Sequence, residues 1–164
     1  EKYLDLARFK TGYYLACPIV GGAIIAETPD NVIDELWQLG ANLGASFQIR
    51  DDIKDLTVGK GRGGEIGCDI KEGKPSILFA LAISRVNIQE KKALIETMMK
   101  DRGQKSVAEV RYVIDIYKRY DILELAQREA KRLKDRALEI IERVDFQKRH
   151  LLRNIAEFII NRAF

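Results

Sequence analysis

The segment FQIRDDIKD, Phe47 to Asp55, places three carboxylates within five residues, at Asp51, Asp52 and Asp55. On a helix, Asp51 and Asp55 stand one turn apart, Gln48 shares their face, and Asp52 lies beside them. Like charges at this spacing repel and weaken a helix. Water relieves that repulsion if the cluster is a solvated patch. A divalent cation relieves it if the cluster faces a cavity. Mg2+ takes hard oxygen ligands, keeps several waters, and is commonly shared between one or two carboxylates and substrate phosphates. The neighbours favour the cation. The aspartates close an apolar helix rather than a lysine-rich one, and Lys74 stands just before a helix expected to begin near Pro75. A helix N-terminus and an ammonium both attract anions. Lys10 and Thr11 set a cation and a hydroxyl inside another apolar segment. Acids for a metal and bases for phosphate, in one chain, point to diphosphate chemistry.

Helices must carry these residues. Val32, Leu36, Leu39, Leu43 and Phe47 recur at helical spacing and lead into the aspartates. Thr28 suits the N-cap of that helix and Pro29 its first position. Gly40 and Gly44 fall on one face of it, which predicts a second helix packed close. The first segment has a looser rhythm at Leu4, Ala7, Tyr14 and Leu15, and Pro18 is expected to end or kink it near Cys17. Thr57 to Gly67, with five glycines in eleven residues, reads as a loop. Ile88 to Lys100 reads as a further helix. Ser106 with Glu109 forms a capping box. It opens a helix whose apolar positions are Val110, Val113, Ile114, Tyr117 and Tyr120. Amphipathic segments follow from Asp121 to Val144 and from Lys148 to the end. Nowhere do apolar and polar residues alternate as in a strand, so the expected class is all-α.

Composition narrows the possibilities. The 164 residues suit one domain, and 46% apolar with 32% charged residues describes a folded, soluble protein. Against 25 acids stand 28 bases, a balance that gives no footprint for nucleic acid. Cys17 and Cys68 lack ligand spacing, which fits a reduced, cytoplasmic setting. No run approaches the ~20 apolar residues of a membrane span, and no signal-peptide pattern stands at the start.

Four stretches, in order, resemble one family. KTG at Lys10 to Gly12 is similar to the lysine–threonine element of the trans-isoprenyl diphosphate synthases. FQIRDDIKD resembles their second aspartate-rich motif, and GCDIKEGKPS, Gly67 to Ser76, resembles the element that follows it. IAEFIINRAF is similar to their C-terminal ending. The resemblance implies an antiparallel helical bundle around a deep cavity. The family's first aspartate-rich motif and its basic patch for isopentenyl diphosphate lie upstream of KTG. Residues 1–164 are therefore expected to be the C-terminal part of a single isoprenoid synthase domain, incomplete at the N-terminus.

The implied activity is head-to-tail condensation of isopentenyl diphosphate with an allylic diphosphate, by a cytoplasmic homodimer that uses Mg2+, with Mn2+ as a substitute. Site roles follow from the resemblance. Asp51 and Asp55 hold Mg2+ against the allylic diphosphate, with Asp52 a ligand or a supporting acceptor. Lys10 and Lys74 bind the diphosphate, Thr11 and Gln48 turn their oxygens to the developing carbocation, and Phe47 shapes the neighbouring pocket. Asp69 orients the basic residues or metal-bound waters. The family usually carries a lysine four or five residues before Asp69. This chain has Glu65 and Gly64 there, so Lys60 and Arg62 are expected to reach in from the loop.

Rival readings use the same residues: a catalytically inactive subunit, motivated by Glu65; a class I terpene cyclase with the same metal chemistry; and a helical interaction domain with a solvated acid cluster. Other motifs fail their context. Gly59, Gly61 and Gly64 match a dinucleotide fingerprint but follow a helix, and in EGKPS Pro75 stands where a P-loop needs Ser or Thr. His150, among Lys148, Arg149 and Arg153, is expected to be solvated.

Overall fold

The structure, a computed structural model, describes residues 1–57, 59, 64–145 and 148–161, with residue 161 described by its backbone only. Every regular element among the described residues is helical, as the periodicity predicts. The chain divides into two compact units, residues 1–50 with 129–164, and residues 51–128.

The first unit begins with α1 (Lys2–Ala7), a π-helical turn (Arg8–Gly12) and α2 (Tyr13–Ile25). It also holds most of α3 (Asp30–Thr57), the later part of α8 (Ile122–Arg143), and α9 (Arg149–Asn161). Its core is built from positions three and four apart: Ala16, Val20 and Ala23 of α2, Leu36, Leu39 and Leu43 of α3, Ala137 with Ile140 and Ile141 of α8, and Ala156 and Ile160 of α9. Gly40 and Gly44 do permit the close approach expected of them. A Cβ on Gly40 would stand 2.3 Å from the Cβ of Ala16.

Pro18 does not end its helix. Helix α2 runs through it to Ile25. An interior proline costs about 3 kcal/mol because it removes one amide bond and crowds the preceding turn. Here the loss falls on a solvent side, where Cys17 and Pro18 are exposed, so water can serve the carbonyl left over. The opposite face, with Ala16, Val20 and Ala23 buried, keeps the segment helical.

The second unit contains the end of α3, then α4 (Cys68–Lys71), α5 (Ile77–Ile83), α6 (Ile88–Met99), a 3-10 turn (Arg102–Gln104), α7 (Val107–Arg119) and the start of α8. Its starts are marked by side chains. Ser76 accepts from the Phe79 amide at 3.3 Å and Asn87 from the Glu90 amide at 2.9 Å.

The capping box of α7 is complete. The Ser106 amide donates to Glu109 at 2.8 Å, and the Glu109 amide donates to Ser106 Oγ at 3.2 Å. The hydrogen bond from Lys100 first, and those from Ser106 next, hold the Glu109 carboxyl down at about 2, against an ordinary 4.5. A depressed acid stabilises the fold above its unfolded value and stops doing so as pH falls through its folded one. Glu109→Gln is therefore expected to lower Tm at neutral pH. The gap to the parent should close as pH falls from 4.5 towards about 2, measured by thermal melts across that range.

Candidate active site

The acid cluster of the second unit is organised around one ammonium. Lys74 Nζ donates to Asp52 Oδ1 at 2.8 Å and to Asp69 Oδ2 at 3.0 Å, and lies 3.9 Å from Asp51 Oδ2. The local chain path brings it there. Gly67, at φ +83°, turns the chain into α4, a conformation that disfavours any side chain. The Lys74 amide then donates to the Asp69 carbonyl at 2.9 Å, closing the turn that carries both residues. Lys105, almost fully buried, donates to the Lys71 carbonyl at 2.9 Å and ties down the end of α4.

The three aspartates of the motif are not equivalent. Asp52 is fully buried, and its Oδ2 accepts the Ile77 amide at 2.9 Å. Asp55, also buried, accepts the Asp69 amide at 3.2 Å. Asp51 is the half-exposed member, with 40% of its side chain accessible. Two carboxylates thus hold the backbone of residues 69–77, and one faces outward. The N-terminus of α5, expected to be a seat for a ligand anion, is already capped by Asp52.

Three carboxylates around one ammonium leave an excess of negative charge. Burial acts to lower the Lys74 pKa, but the hydrogen bonds and charges of Asp52 and Asp69 outweigh it and hold the ammonium above its ordinary value. Among the described residues no three acidic, His or Cys side chains converge well enough to hold a metal alone. The donor set nevertheless suits Mg2+ shared with a ligand: hard oxygens, excess negative charge, and an outward carboxylate.

Tyr117 of α7, 2% exposed, is the member of this group that sequence reasoning placed only in an apolar stripe. Its hydroxyl has no hydrogen-bond partner among the described residues. Burial first, then the charges of Asp55, Asp52 and Asp69, push its ionisation upward. Nothing in the apolar spacing distinguishes it from a phenylalanine.

In the first unit, Thr11 Oγ1 donates to Gln48 Oε1 at 3.3 Å, which brings two of the expected site residues together. The contact follows from the glycines, since a Cβ on Gly44 would stand 2.4 Å from Gly12 Cα. Thr11 and the exposed Lys10 belong to the π-helical turn, which no sequence signal announced. Such turns recur at functional sites. Phe47 is half-buried on α3.

Glu65, the acid at the expected lysine position, is paired with Lys71 and accepts from the Cys68 thiol at 3.5 Å. The Lys71 hydrogen bond first, and Cys68 next, hold its carboxyl below the usual range. Lys60 and Arg62 lie outside the described residues.

The family model for polyprenyl synthetase matches residues 1–117. The geranylgeranyl diphosphate synthase of Saccharolobus solfataricus is 32% identical over 99% of this chain and 49% of its own length. The short chain isoprenyl diphosphate synthase of Methanocaldococcus jannaschii is 32% identical over 100% of this chain and 49% of its own. A crystal structure of the Corynebacterium glutamicum geranylgeranyl pyrophosphate synthase, complexed with isoprenyl diphosphate and magnesium, matches with a TM-score of 0.78 at 28% identity, over 99% of this chain and 48% of that one. The chain thus spans about half the length of the curated relatives it matches. On its sequence and its all-helical fold alike, the chain belongs to the polyprenyl synthetase family.

Proposed function

We propose that this chain carries diphosphate-binding machinery of a trans-prenyltransferase that condenses isopentenyl diphosphate with an allylic diphosphate. The observation that carries the reading is Lys74, pinned between Asp52 and Asp69 beside the outward carboxylate of Asp51. An ammonium has three N–H donors. Asp52 and Asp69 engage two, which leaves the third for an oxygen of the diphosphate. Asp51 is the residue to hold Mg2+, while Asp52 and Asp55 keep the supporting backbone in place. Mg2+, when bound, supplies positive charge to the departing diphosphate. Lys10, exposed on its turn in the first unit, is assigned to a diphosphate by the family resemblance.

The reaction breaks the bond between the allylic carbon and the diphosphate oxygen, which leaves with the electron pair. The isopentenyl double bond attacks that carbon, and the resulting cation loses a proton. Thr11 gives its hydrogen to Gln48, so its oxygen lone pairs remain available to a developing cation. Phe47 supplies apolar wall. The magnesium and isoprenyl diphosphate in the related crystal structure support this reading. It carries with it a cytoplasmic homodimer. Among the described residues no helix is long and apolar enough to cross a membrane, and sedimentation of the purified protein checks the dimer.

The test is calorimetric titration of an allylic diphosphate or a bisphosphonate with and without Mg2+. Asp51→Ala is expected to weaken Mg2+-dependent binding at least about tenfold, since even supporting groups at metal sites contribute that much. Its Tm should hold, because Asp51 is half-exposed. Undiminished binding would remove Asp51 from the site.

A further inference from the structure

Tyr117 has a hydroxyl that the fold gives no direct partner among the described residues, at a position where phenylalanine would fill the same space. A buried polar group left unsatisfied is a rare and costly feature. Helix α7 packs over the turn that Asp55 holds: a Cβ on Gly67 would stand 3.0 Å from Val110 Cγ1 and 3.5 Å from Ile114 Cδ1, and Tyr117 follows Ile114 by one helical turn. The charges felt by its hydroxyl are those of Asp55 first, then Asp52 and Asp69, all in the same compact unit. Carboxylates are acceptors only, and a phenol O–H is a donor. A water placed between them would have the two to four polar partners that a buried water needs.

We propose that Tyr117 is a positioning residue for the diphosphate site. Its hydroxyl, through one buried water, braces the Asp55 carboxylate that holds the Asp69 amide, and so keeps Asp69 and Lys74 in register. The chain of contacts is short. Asp55 Oδ2 accepts the Asp69 amide at 3.2 Å, the Asp55 carbonyl accepts the Gly67 amide at 3.1 Å, and Asp69 Oδ2 receives Lys74 at 3.0 Å. Loosening Asp55 therefore frees the start of the turn that presents Lys74. In relying on Lys74 as a diphosphate ligand, the inference rests on the proposed function. Its structural half, the bracing of Asp55, stands apart from that.

Tyr117→Phe removes the hydroxyl and little else, and two readouts separate the claims. The first is hydrogen exchange of the Asp69 amide, followed by NMR and normalised to the Leu94 amide on α6. It is expected to speed up about 3- to 10-fold, the effect of one lost hydrogen bond. The second is Mg2+-dependent affinity for inorganic pyrophosphate, expected to fall by a similar factor of about 3 to 10. Unchanged Asp69 exchange overturns the inference, whatever the affinity does. In that case the hydroxyl is merely unsatisfied, and the variant should melt higher than the parent. If the parent itself binds no pyrophosphate, the functional reading fails while the exchange comparison still decides the role of Tyr117. Should the variant not fold, a crystal structure of the parent decides. A water joining Tyr117 Oη to Asp55 supports the bracing, and a hydroxyl facing only apolar atoms overturns it.

Discussion

Replacing Lys74 by methionine is expected to cost about 3–5 kcal/mol of stability, the penalty for breaking a buried ion pair and stranding its partner. Methionine keeps most of the apolar stem of the side chain and removes the ammonium, its charge and its N–H donors together. Asp52, with no accessible surface, and Asp69, at 7%, then lose their common ammonium. Domains of this size have about 5–15 kcal/mol of net stability, so the variant should sit near the edge of folding. Urea unfolding measures the loss. The charge origin has its own signature. Asn at position 52 keeps a carbonyl for the Ile77 amide and carries no charge, so Lys74→Met with Asp52→Asn should be more stable than Lys74→Met alone. If adding Asp52→Asn only makes matters worse, the electrostatic account is wrong. The pH dependence has a definite sign. Lys74 is held above its ordinary value despite the burial that opposes it. Its contribution is therefore complete below the unfolded value of about 10.4 and declines only as pH rises through the higher folded one. The stability gap between parent and variant should stay flat through neutral pH to about 10.

That ion hub also shows where sequence reasoning stops. Helix content, the Ser106 capping box and the close approach at Gly40 and Gly44 were legible, because each is written in local spacing. So were the residues of the hub, Asp51, Asp52, Asp55, Asp69 and Lys74. Their division of labour was not. Whether a carboxylate points outward or caps a distant amide depends on a chain path that returns 14 to 25 residues later. The motif makes Asp51 and Asp52 look alike, and the fold makes one half-exposed and the other fully buried. Tyr117 was hidden for a related reason, since an apolar stripe accommodates tyrosine and phenylalanine alike. Pro18 misled in the other direction. A local helix breaker was read as an end or a kink, and tertiary burial of the facing alanines and valine carries the helix through it. The π-helical turn at Arg8–Gly12 left no mark, since an extra residue in a helical turn changes no composition.

Gly44→Ala is the second change with a large expected effect, and it reaches the site through the backbone. An added Cβ would lie 2.4 Å from both Cα and N of Gly12 and 2.6 Å from the carbonyl carbon of Thr11. Those are backbone atoms and cannot rotate away. The π-helical turn must separate from α3, and a loss of about 3 kcal/mol is expected, at the upper end of overpacking penalties. Gly22, also helical, supplies the contrast, with nothing within 4 Å of its would-be Cβ. There Gly22→Ala should stabilise by about 0.5–1 kcal/mol, since glycine is the more costly residue in a helix. The same chemical change thus has opposite signs on two helices, and urea unfolding of both variants reads the difference. The functional consequence follows from the same displacement. The 3.3 Å contact from Thr11 to Gln48 is held together by that glycine crossing. On the proposed roles, which assign Thr11 and Gln48 to the cation and Asp51 and Lys74 to the diphosphate, Gly44→Ala should lower prenyl transfer more than Mg2+-dependent diphosphate binding. A variant that binds diphosphate normally, turns over normally and melts with the parent would show that the crossing has no such role.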